Sequence, residues 1–287
     1  MDKAYRILCS EAHWQGSVPS PATVSRRMRR QDFDIYMARF FRALCLPARS
    51  VSAKAGRMAV SHRVGDLHVL VIDSTAIEAP RDPHARWGHT REGPFLGYKL
   101  HLLVNSRGVP VAAWVSQGHR SDHDGLRPMM RDAKQVLATN HLRGRVKFVL
   151  ADAGYDAEEH YHLTYEATGA RLLAQDNPRN RKVDPADVAS KATLAESAEP
   201  TPGVRRDAFR LLKTDWGKKL MAKRSEIERV FSQVTDPGGI NCEQLPRQIR
   251  GKKKVRRFLL AKAIQYTCGI VDNTLSGRKA RTMAYAA

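Results

Sequence analysis

The chain has 287 residues and carries 49 Lys and Arg against 29 Asp and Glu, so its formal net charge is +20. A hydrophobic content of 42% at this length excludes a disordered or fibrous protein and predicts one large domain, or one domain with a smaller companion. So large a positive charge predicts a polyanionic partner, most commonly DNA or RNA. The alternative is a basic protein without such a partner.

Membrane insertion and secretion are not predicted. No stretch approaches the roughly 20 consecutive apolar residues of a membrane helix, and residues 1–14 lack the apolar core of a secretion signal. We therefore expect a cytoplasmic protein. The cysteines form no CxxC pair and predict neither a zinc site nor a disulfide framework; they are Cys9, Cys45, Cys242 and Cys268.

Residues 1–62 are predicted to form a separate helical region that binds DNA. Prolines at positions 19 and 21 favour a helix start, and "SPATVSRRMRR" (residues 20–30) predicts a recognition helix that turns Arg26 and Arg29 towards DNA. A helical arm that packs on the main domain and has a solvated basic face is the alternative.

The main domain is predicted over residues 63–275 and begins with three strands, at residues 67–73, 98–104 and 109–116. The last two form a hairpin in which "NSRG" makes the turn and Gly108 supplies a positive φ. Residues 84–93 are predicted to form a basic loop. Its Trp87 either stacks on a DNA base or lies on the surface or in the core.

Helices and strands then alternate, which predicts an α/β domain. Residues 121–139 form a helix that Ser121 or Asp122 caps, and residues 157–169 form a helix that Gly169 closes. Further strands are predicted at residues 145–152 and 170–175. The order is therefore three strands, helix, strand, helix, strand.

The rest of the domain contains an insertion and two helices. Residues 176–216 are polar and contain several prolines, which predicts an extended loop or insertion before a helix at residues 216–234. A final helix is predicted at residues 256–276, and a basic tail at 276–287.

One segment near the end of the chain is strongly basic. Residues 247–262 hold eight basic residues and no acidic one, so we expect Lys252, Lys253 and Lys254 to contact DNA phosphates. A solvated basic face or a contact with a partner subunit is the alternative.

Three acidic residues stand at positions typical of a metal site. Asp73 ends the first predicted strand in "VLVIDST", Asp152 ends the fourth in "FVLADAGYD", and Glu228 lies on a late helix in "KRSEIERVF". Adjacent parallel strands would bring the two Asp carboxylates together, and a helix across them would add the Glu. Gathered carboxylates repel one another unless a hard divalent cation such as Mg²⁺ binds them. Taken singly, the two Asp are also typical of turns or caps, and the Glu of a surface ion pair.

In these motifs the sequence resembles the DDE transposases of bacterial insertion sequences. The similarity covers residues 67–231 and is most specific in "DST", "GYKLH" and "ADAGYD". It implies an α/β fold with a ribonuclease H-like mixed sheet flanked by helices. It also implies that Asp73, Asp152 and Glu228 are catalytic residues that bind Mg²⁺, for which Mn²⁺ can substitute.

The same resemblance implies the reaction and the partners. A transposase of this kind hydrolyses DNA at the transposon ends and transfers the freed 3′-hydroxyl strand to target DNA. Its partners would be double-stranded DNA, namely the terminal inverted repeats and the target, and further copies of the chain in a synaptic complex at the nucleoid. A ribonuclease H-like nuclease without strand transfer and an inactive DNA-binding relic are the alternatives.

The family's Tyr-Arg-Glu-Lys signature points to a further residue. Arg224 lies four residues before Glu228 and so shares its helix face, where it is a candidate contact to DNA phosphate. Met221 and Thr235 stand where the Tyr and Lys of the signature are expected, so those two phosphate contacts are missing from the pattern. Glu226 competes for the role of third acid, but two positions on a helix differ by about 200°, so both Glu side chains cannot face the same metals.

Other polar residues have two interpretations. Lys99 and His101 share one face of a hairpin strand, and they either approach DNA or form the solvated outer face of that strand. His123 and Asp124 precede a helix and are interpreted as capping and turn residues, with a contribution to the rim of the active site as the alternative.

Overall fold

The computed structural model describes residues 26, 33–44, 68–106, 108–139, 144–175, 177, 205–236, 242 and 245–275. The chain divides into two compact units, Met1–Phe40 and Phe41–Ala287. Arg26 of the first unit is helical and exposed, and helix α1, which begins in that unit, spans Phe33–Leu44. Arg29 and the basic tail lie outside the described residues, as does most of the region predicted over residues 1–62.

The described part of the second unit contains a six-stranded sheet against which helices pack. The strands are β1 (Val69–Glu78), β2 (Arg86–His89), β3 (Pro94–Asn105), β4 (Pro110–Gln117), β5 (Phe148–Ala151) and β6 (Arg171–Ala174). The helices are α2 (Leu126–Thr139), α3 (Glu158–Thr168), α4 (Arg205–Lys213), α5 (Asp215–Met221), α6 (Ser225–Thr235) and α7 (Lys252–Leu275). Short 3-10 turns lie at Asp122–Gly125, Ala153–Tyr155 and Ala222–Arg224.

The sheet has an antiparallel half and a parallel half. Strand β3 pairs with β1 along one edge and with β2 and β4 along the other, always antiparallel. Strand β1 then pairs with β5, and β5 with β6, in parallel, which gives the order β4-β3-β1-β5-β6. Helices α2 and α3 connect β4 to β5 and β5 to β6. This topology confirms the expected ribonuclease H-like α/β fold, with a mixed sheet flanked by helices.

The first strand is longer than predicted, so Asp73 does not end it. Residues 67–73 were the predicted range, but β1 continues to Glu78 because β3 pairs with it throughout, from Leu70 to Glu78. Only the pairing along its other edge ends early, because β5 pairs with β1 no further than Val71. Asp73 therefore stands within a long strand, just beyond the end of its parallel partner.

The loop prediction for residues 84–93 is wrong, because this segment contains β2 and its turn into β3. Four exposed or half-buried residues without apolar alternation form the strand, so only pairing with β3 defines it. Glycine allows two close backbone contacts in this part of the sheet, one between β3 and β1 and one between β2 and the residue after β4. A Cβ on Gly97 would lie 2.0 Å from the Ile77 carbonyl oxygen, and one on Gly88 would lie 2.3 Å from that of Gly118.

The prediction of an extended loop over residues 176–216 is also wrong in its last part. Residues 178–204 lie outside the described ranges, but α4 begins at Arg205 and packs on β6. Thr214 caps the next helix, α5, by accepting a hydrogen bond from Gly217 N at 3.0 Å. The helix predicted at residues 216–234 is then present as α5 and α6, which a 3-10 turn joins in right-handed helical conformation.

Helix α7 is the longest helix of the described residues and packs on β4. It begins at Lys252, four residues before the predicted start, and the side chains of Lys252, Lys253 and Lys254 are exposed in its first turn. Its buried face includes Val255, Leu259, Tyr266 and Ile270. None of the described helices is long and apolar enough to cross a membrane.

A buried ion pair ties α4 to the turn that follows β5. The Asp156 side chain is fully buried and accepts hydrogen bonds from Arg205 Nε at 2.6 Å and Arg205 Nη2 at 2.7 Å. Tyr161 Oη and Asn177 N also donate to it, each at 3.0 Å. One carboxylate thus connects α3, the segment after β6 and the first residue of α4.

Asp156→Ala is expected to destabilise the protein by about 3–5 kcal/mol, because it leaves the Arg205 guanidinium without its buried counter-charge. Urea unfolding measures the loss. Asp207→Ala serves as the control, since Asp207 meets Arg210 at 3.7 Å in a surface pair whose removal costs below about 1 kcal/mol. Equal losses in the two variants would contradict a structural role for the Asp156 ion pair.

Candidate active site

Asp73 and Asp152 meet where β5 stops pairing with β1. The parallel register places Val69, Leu70 and Val71 opposite Phe148, Val149 and Leu150. Continued by two residues, it places Asp152 opposite Asp73. We call this part of β1, residues Asp73 and Ser74, the open edge, because β5 no longer covers it. The two carboxylates are neighbours there, as adjacent parallel strands predict.

Local hydrogen bonds orient both carboxylates. Asp73 Oδ1 accepts from Ser74 N at 2.8 Å, and Asp152 Oδ1 accepts from Gly154 N at 2.9 Å. Asp152 therefore also caps the 3-10 turn after β5, which was the alternative interpretation of this residue. A Cβ on Gly154 would lie 3.0 Å from Asp152 Oδ1, so glycine keeps the turn clear of the carboxylate.

Burial and mutual repulsion make the negative charges at this edge unfavourable. Burial first, and then the charge of Asp152, raise the pKa of Asp73 to about 7, although Ser74 N and Arg224 act in the opposite direction. The pKa of Asp152 is also raised, by burial and by the charge of Asp122. A nearby cation would therefore stabilise the ionised forms of both carboxylates.

Arg224 bridges Asp73 and Glu228. Its Nη1 lies 3.3 Å from Asp73 Oδ2, and its Nη2 lies 3.2 Å from Glu228 Oε1. The predicted pairing of Arg224 and Glu228, four residues apart, is therefore present; α6, which packs on β1, and the 3-10 turn before it bring both to the open edge. Glu226 instead meets Arg229 at 2.8 Å, on another side of α6. This arrangement favours Glu228 over Glu226 as the third acid.

The hydroxyl of Tyr155 lies beneath the acidic residues. It is fully buried and has no hydrogen-bond partner among the described residues. Burial and the charges of Asp73, Asp122 and Asp152 raise its pKa well above the ordinary value. A buried hydroxyl without a protein partner is a usual neighbour of bound water or an ion.

The residues at the open edge fit a hard divalent cation. Carboxylate oxygens are the ligands that Mg²⁺ prefers, and Asp73 and Asp152 supply them in a place where their charges repel. In the described residues no three His, Cys, Asp or Glu side chains converge closely enough to hold an ion as they stand. Glu228 reaches Asp73 through Arg224, whose positive charge lies between the two acids.

Asp122 lies beside this group, a position that its sequence context does not predict. Its Oδ1 accepts hydrogen bonds from Ser74 Oγ at 2.6 Å and from Lys99 Nζ at 2.8 Å. Burial raises its pKa, but the bonds from Lys99 and Ser74 outweigh burial and leave the pKa lowered. Ser121 occupies the N-cap position without a side-chain hydrogen bond. The signal in the sequence was an Asp just before a helix, which we interpreted only as a cap.

The interpretation of Lys99 and His101 as a solvated outer face is wrong. Lys99 is 8% exposed and His101 is completely buried, because the 3-10 turn before α2 covers this face of the hairpin. Burial also lowers the pKa of His101 to about 4, so the ring is neutral at pH 7. Lys99 is therefore engaged inside the domain and does not form part of an exposed basic face.

The match to known proteins agrees with this geometry. A family model described as the transposase DDE domain matches residues 65–268. The chain belongs to the DDE transposase family. Residues 65–268 include Asp73, Asp152, Arg224 and Glu228, so the transposase domain contains the whole group of residues at the open edge.

Two proteins illustrate the range of similarity to this transposase domain. A Burkholderia cepacia protein, named as a transposase for insertion sequence element IS402, is 28% identical over 132 residues. The match covers 43% of this chain and 58% of that relative. The solved Mos1 transposase paired-end complex with left transposon end is 14% identical, with 81% of this chain and 77% of that chain covered. Its TM-score is 0.27, so the fold assignment rests on the sheet order itself.

A cleft of about 900 Å³ opens in the transposase domain next to Glu228. Helices α4, α5 and α6 form most of its walls. Its lining combines apolar side chains with basic ones: Phe209, Leu212, Met221, Lys213, Lys218 and Arg224. Met221, which replaces the Tyr of the family signature, is therefore a wall residue of the cleft.

Trp87 and Lys252, two further predicted DNA contacts, are far apart in sequence but partly connected in space. The buried Asp82 accepts hydrogen bonds from His84 N at 2.9 Å, Tyr98 Oη at 2.8 Å and Gly251 N at 2.7 Å. It thus ties the segment between β1 and β2 to the residue that precedes Lys252 in α7. Trp87 is 66% exposed on β2, which confirms a surface position for this side chain.

Asp73→Asn is expected to stabilise the metal-free protein increasingly from about pH 4 to about pH 7. The folded-state pKa of Asp73, about 7, lies above its ordinary value of 3.8, so the folded protein binds the proton more tightly than the unfolded chain. The contribution of Asp73 to wild-type stability therefore falls with rising pH across this window. The Asn variant lacks the effect, which is at most about 4 kcal/mol at about 1.4 kcal/mol per pKa unit.

Urea unfolding in EDTA at several pH values measures the difference between Asp73→Asn and the wild type. The difference should grow between about pH 4 and about pH 7 and remain constant above that. A difference that stays constant with pH would show that Asp73 has an ordinary pKa, and one that shrinks with rising pH would show that its pKa is lowered.

Proposed function

We propose that this chain is a DNA transposase of an insertion sequence. It cuts DNA at the ends of the element and transfers the 3′-hydroxyl strand to target DNA. Asp73, Asp152 and Glu228 hold the Mg²⁺ ions, for which Mn²⁺ can substitute. The observation that carries the proposal is the pair of repelling carboxylates at the open edge, to which Arg224 links Glu228.

The chemistry of the acids supports phosphodiester cleavage. Bound Mg²⁺ ions at such a site supply activation of the attacking hydroxyl and stabilisation of the leaving oxygen. The residues of the chain position the DNA. The planar guanidinium of Arg224 has donors that match phosphate oxygens as well as carboxylates, which supports its role as a DNA phosphate contact.

The exposed lysines of α7 support a DNA surface. Lys252, Lys253 and Lys254 lie in the first turn of the helix, where the helix dipole disfavours positive side chains. A phosphate backbone would remove this conflict, because it attracts both the lysines and the amide groups of the first turn. Asp82 holds the start of α7 against the segment that leads to Trp87, and an exposed Trp beside basic residues favours base stacking.

The reaction requires two element ends in one complex, so we propose a homodimer or larger assembly in the synaptic state. We further propose that residues 1–62 add a DNA contact, which the exposure of Arg26 supports.

Asp73→Asn and Asp152→Asn are each expected to reduce metal-dependent nicking of DNA that carries the element's terminal repeats by more than about 100-fold. The reason is that loss of even an outer partner of a metal ligand costs about 10–100-fold. Both variants should still bind that DNA in EDTA, as measured by gel shift. If both variants cut DNA at the wild-type rate, the assignment of Asp73, Asp152 and Glu228 as the catalytic triad is wrong.

Glu228→Gln and Glu226→Gln form a matched pair for the third acid. Glu228→Gln should lose cutting, and Glu226→Gln should retain it, because Glu226 meets Arg229 away from Arg224. The opposite result would assign the third acid to Glu226.

Joining of pre-cut ends to a target plasmid in the same assay separates a transposase from a nuclease without strand transfer.

Replacement of Lys252, Lys253 and Lys254 by Gln is expected to weaken DNA binding at all sequences. It should also flatten the slope of log K against log salt by about 2–3, since each lost phosphate contact contributes about 0.9. Fluorescence anisotropy over a salt series measures this slope. A control variant replaces Arg145, Lys147 and Arg171. These exposed residues lie at the N-terminal ends of β5 and β6, whereas Asp152 follows the C-terminal end of β5. Equal slopes in the two triple variants would leave the α7 lysines without a DNA role.

A further inference from the structure

Asp122 is bound to both strands that adjoin the open edge. Its Oδ1 accepts from Ser74 on β1 and from Lys99 on β3, as described above. Ser74 directly follows Asp73, so these bonds fix Asp122 within one residue of a proposed metal ligand. The Asp122 side chain is 32% exposed, and its carboxylate is therefore not sealed in the core.

Asp122 and Glu228 reach the open edge from opposite faces of the sheet. Successive side chains of a strand point to opposite faces, so Asp73 and Ser74 face different helices. Ser74 meets Asp122 in the turn before α2, whereas Asp73 meets Arg224 beside α6. Because β5 no longer covers β1 at this point, groups from both faces can act on the same edge.

The surroundings of Tyr155 independently place Asp122 with the other acids. The buried Tyr155 hydroxyl experiences the charges of Asp73, Asp122 and Asp152, and it has no hydrogen-bond partner within the described ranges. The charge of Asp122 also acts on both Asp73 and Asp152. Asp122 is therefore a member of the acidic group as well as a contact of the strands.

The turn that carries Asp122 has little freedom to shift. His101 is completely buried, and its Nε2 lies 2.8 Å from Ser116 Oγ. The backbone of Gly125 lies directly against the His101 ring, since an added Cβ would be 2.5 Å from Nδ1. This close contact seats the turn on β3 and so determines where Asp122 stands relative to β1.

We propose that Asp122 is a positioning residue of the active site, which fixes the segment of Asp73 and Ser74 and adds a fourth carboxylate to the group that determines divalent-cation affinity. This inference rests on the proposed function, because it concerns the same metal site. Lys99 is the internal partner of Asp122 and not a DNA contact, since its side chain is 10% exposed and its ammonium donates to Asp122.

Mn²⁺ titration of the full chain, followed by the electron paramagnetic resonance signal of free Mn²⁺, tests the proposal. Asp122→Asn retains an oxygen that can accept both hydrogen bonds but removes the charge. Its dissociation constant for Mn²⁺ should rise by about 10-fold or more, while its circular-dichroism spectrum in EDTA shows that it remains folded. Asp124→Asn is the matched control, because Asp124 is 43% exposed in a 3.7 Å surface pair with Arg120. It should bind Mn²⁺ as the wild type does.

The outcomes separate this proposal from the proposed function. If Asp73→Asn loses Mn²⁺ affinity and Asp122→Asn retains it, the role of Asp122 is overturned and the metal site stands. Equal losses in Asp122→Asn and Asp124→Asn also overturn it, because they indicate a general charge effect. A wild-type protein that binds no Mn²⁺ would overturn both proposals.

Lys99→Gln tests the same network if Asp122→Asn fails to fold. This variant should change Mn²⁺ affinity and leave the salt slope of DNA binding at its wild-type value. Unchanged Mn²⁺ affinity, or a flatter salt slope that returns Lys99 to the DNA contacts, would overturn the proposal.

Discussion

Negative charge that is buried at the open edge has to be balanced by positive charge nearby, and much of the domain serves this requirement. Asp73, Asp122 and Asp152 gather where β5 leaves β1 uncovered. Without compensation each charge would disfavour the others. Arg224 supplies one positive charge from the α6 side, and Lys99 supplies another from β3. Both cations depend on tertiary packing for their position, so folding of the whole domain assembles the site.

The basic residues of the chain fall into two groups, which have different partners. Lys99 and Arg205 are engaged with carboxylates inside the domain, and they neutralise charge that the fold itself brings together. Lys252, Lys253 and Lys254 are exposed, and a phosphate backbone would be their natural counterpart. A count of basic residues cannot separate these two groups. The burial of each side chain and its ion-pair partner distinguish the two groups: buried, paired residues neutralise internal carboxylates, and exposed residues are free to meet phosphate.

The core of the site followed from the sequence because its causes are local or periodic. Two apolar strands that each deliver an Asp predict neighbouring carboxylates once the strands are parallel and adjacent, and the spacing of four residues predicts the pairing of Arg224 with Glu228. Asp122 and Lys99 did not follow, because their contact joins residues 23 positions apart. Lys99 and His101 alternate as an outer face would, and only the turn above them makes that face interior.

The same distinction explains the errors in secondary structure. Strand β2 has no apolar alternation and exists through its pairing with β3. Helix α4 follows a polar, proline-containing segment, and its first residue is held by Asp156 from 49 positions away. The length of β1 likewise reflects its partner, since β3 continues beside it after β5 has ended. Pairings that depend on distant partners leave no periodic pattern in the residues that take part.

The carboxylate of Asp156 has a consequence for how this protein can vary. Its Oδ2 accepts from Asn177 N at 3.0 Å and from Arg205 Nη2 at 2.7 Å, so a single oxygen atom joins the segment after β6 to the start of α4. A substitution at Asp156 therefore acts on Asn177 and on the start of α4 together, and so reaches the helices that lead to Glu228.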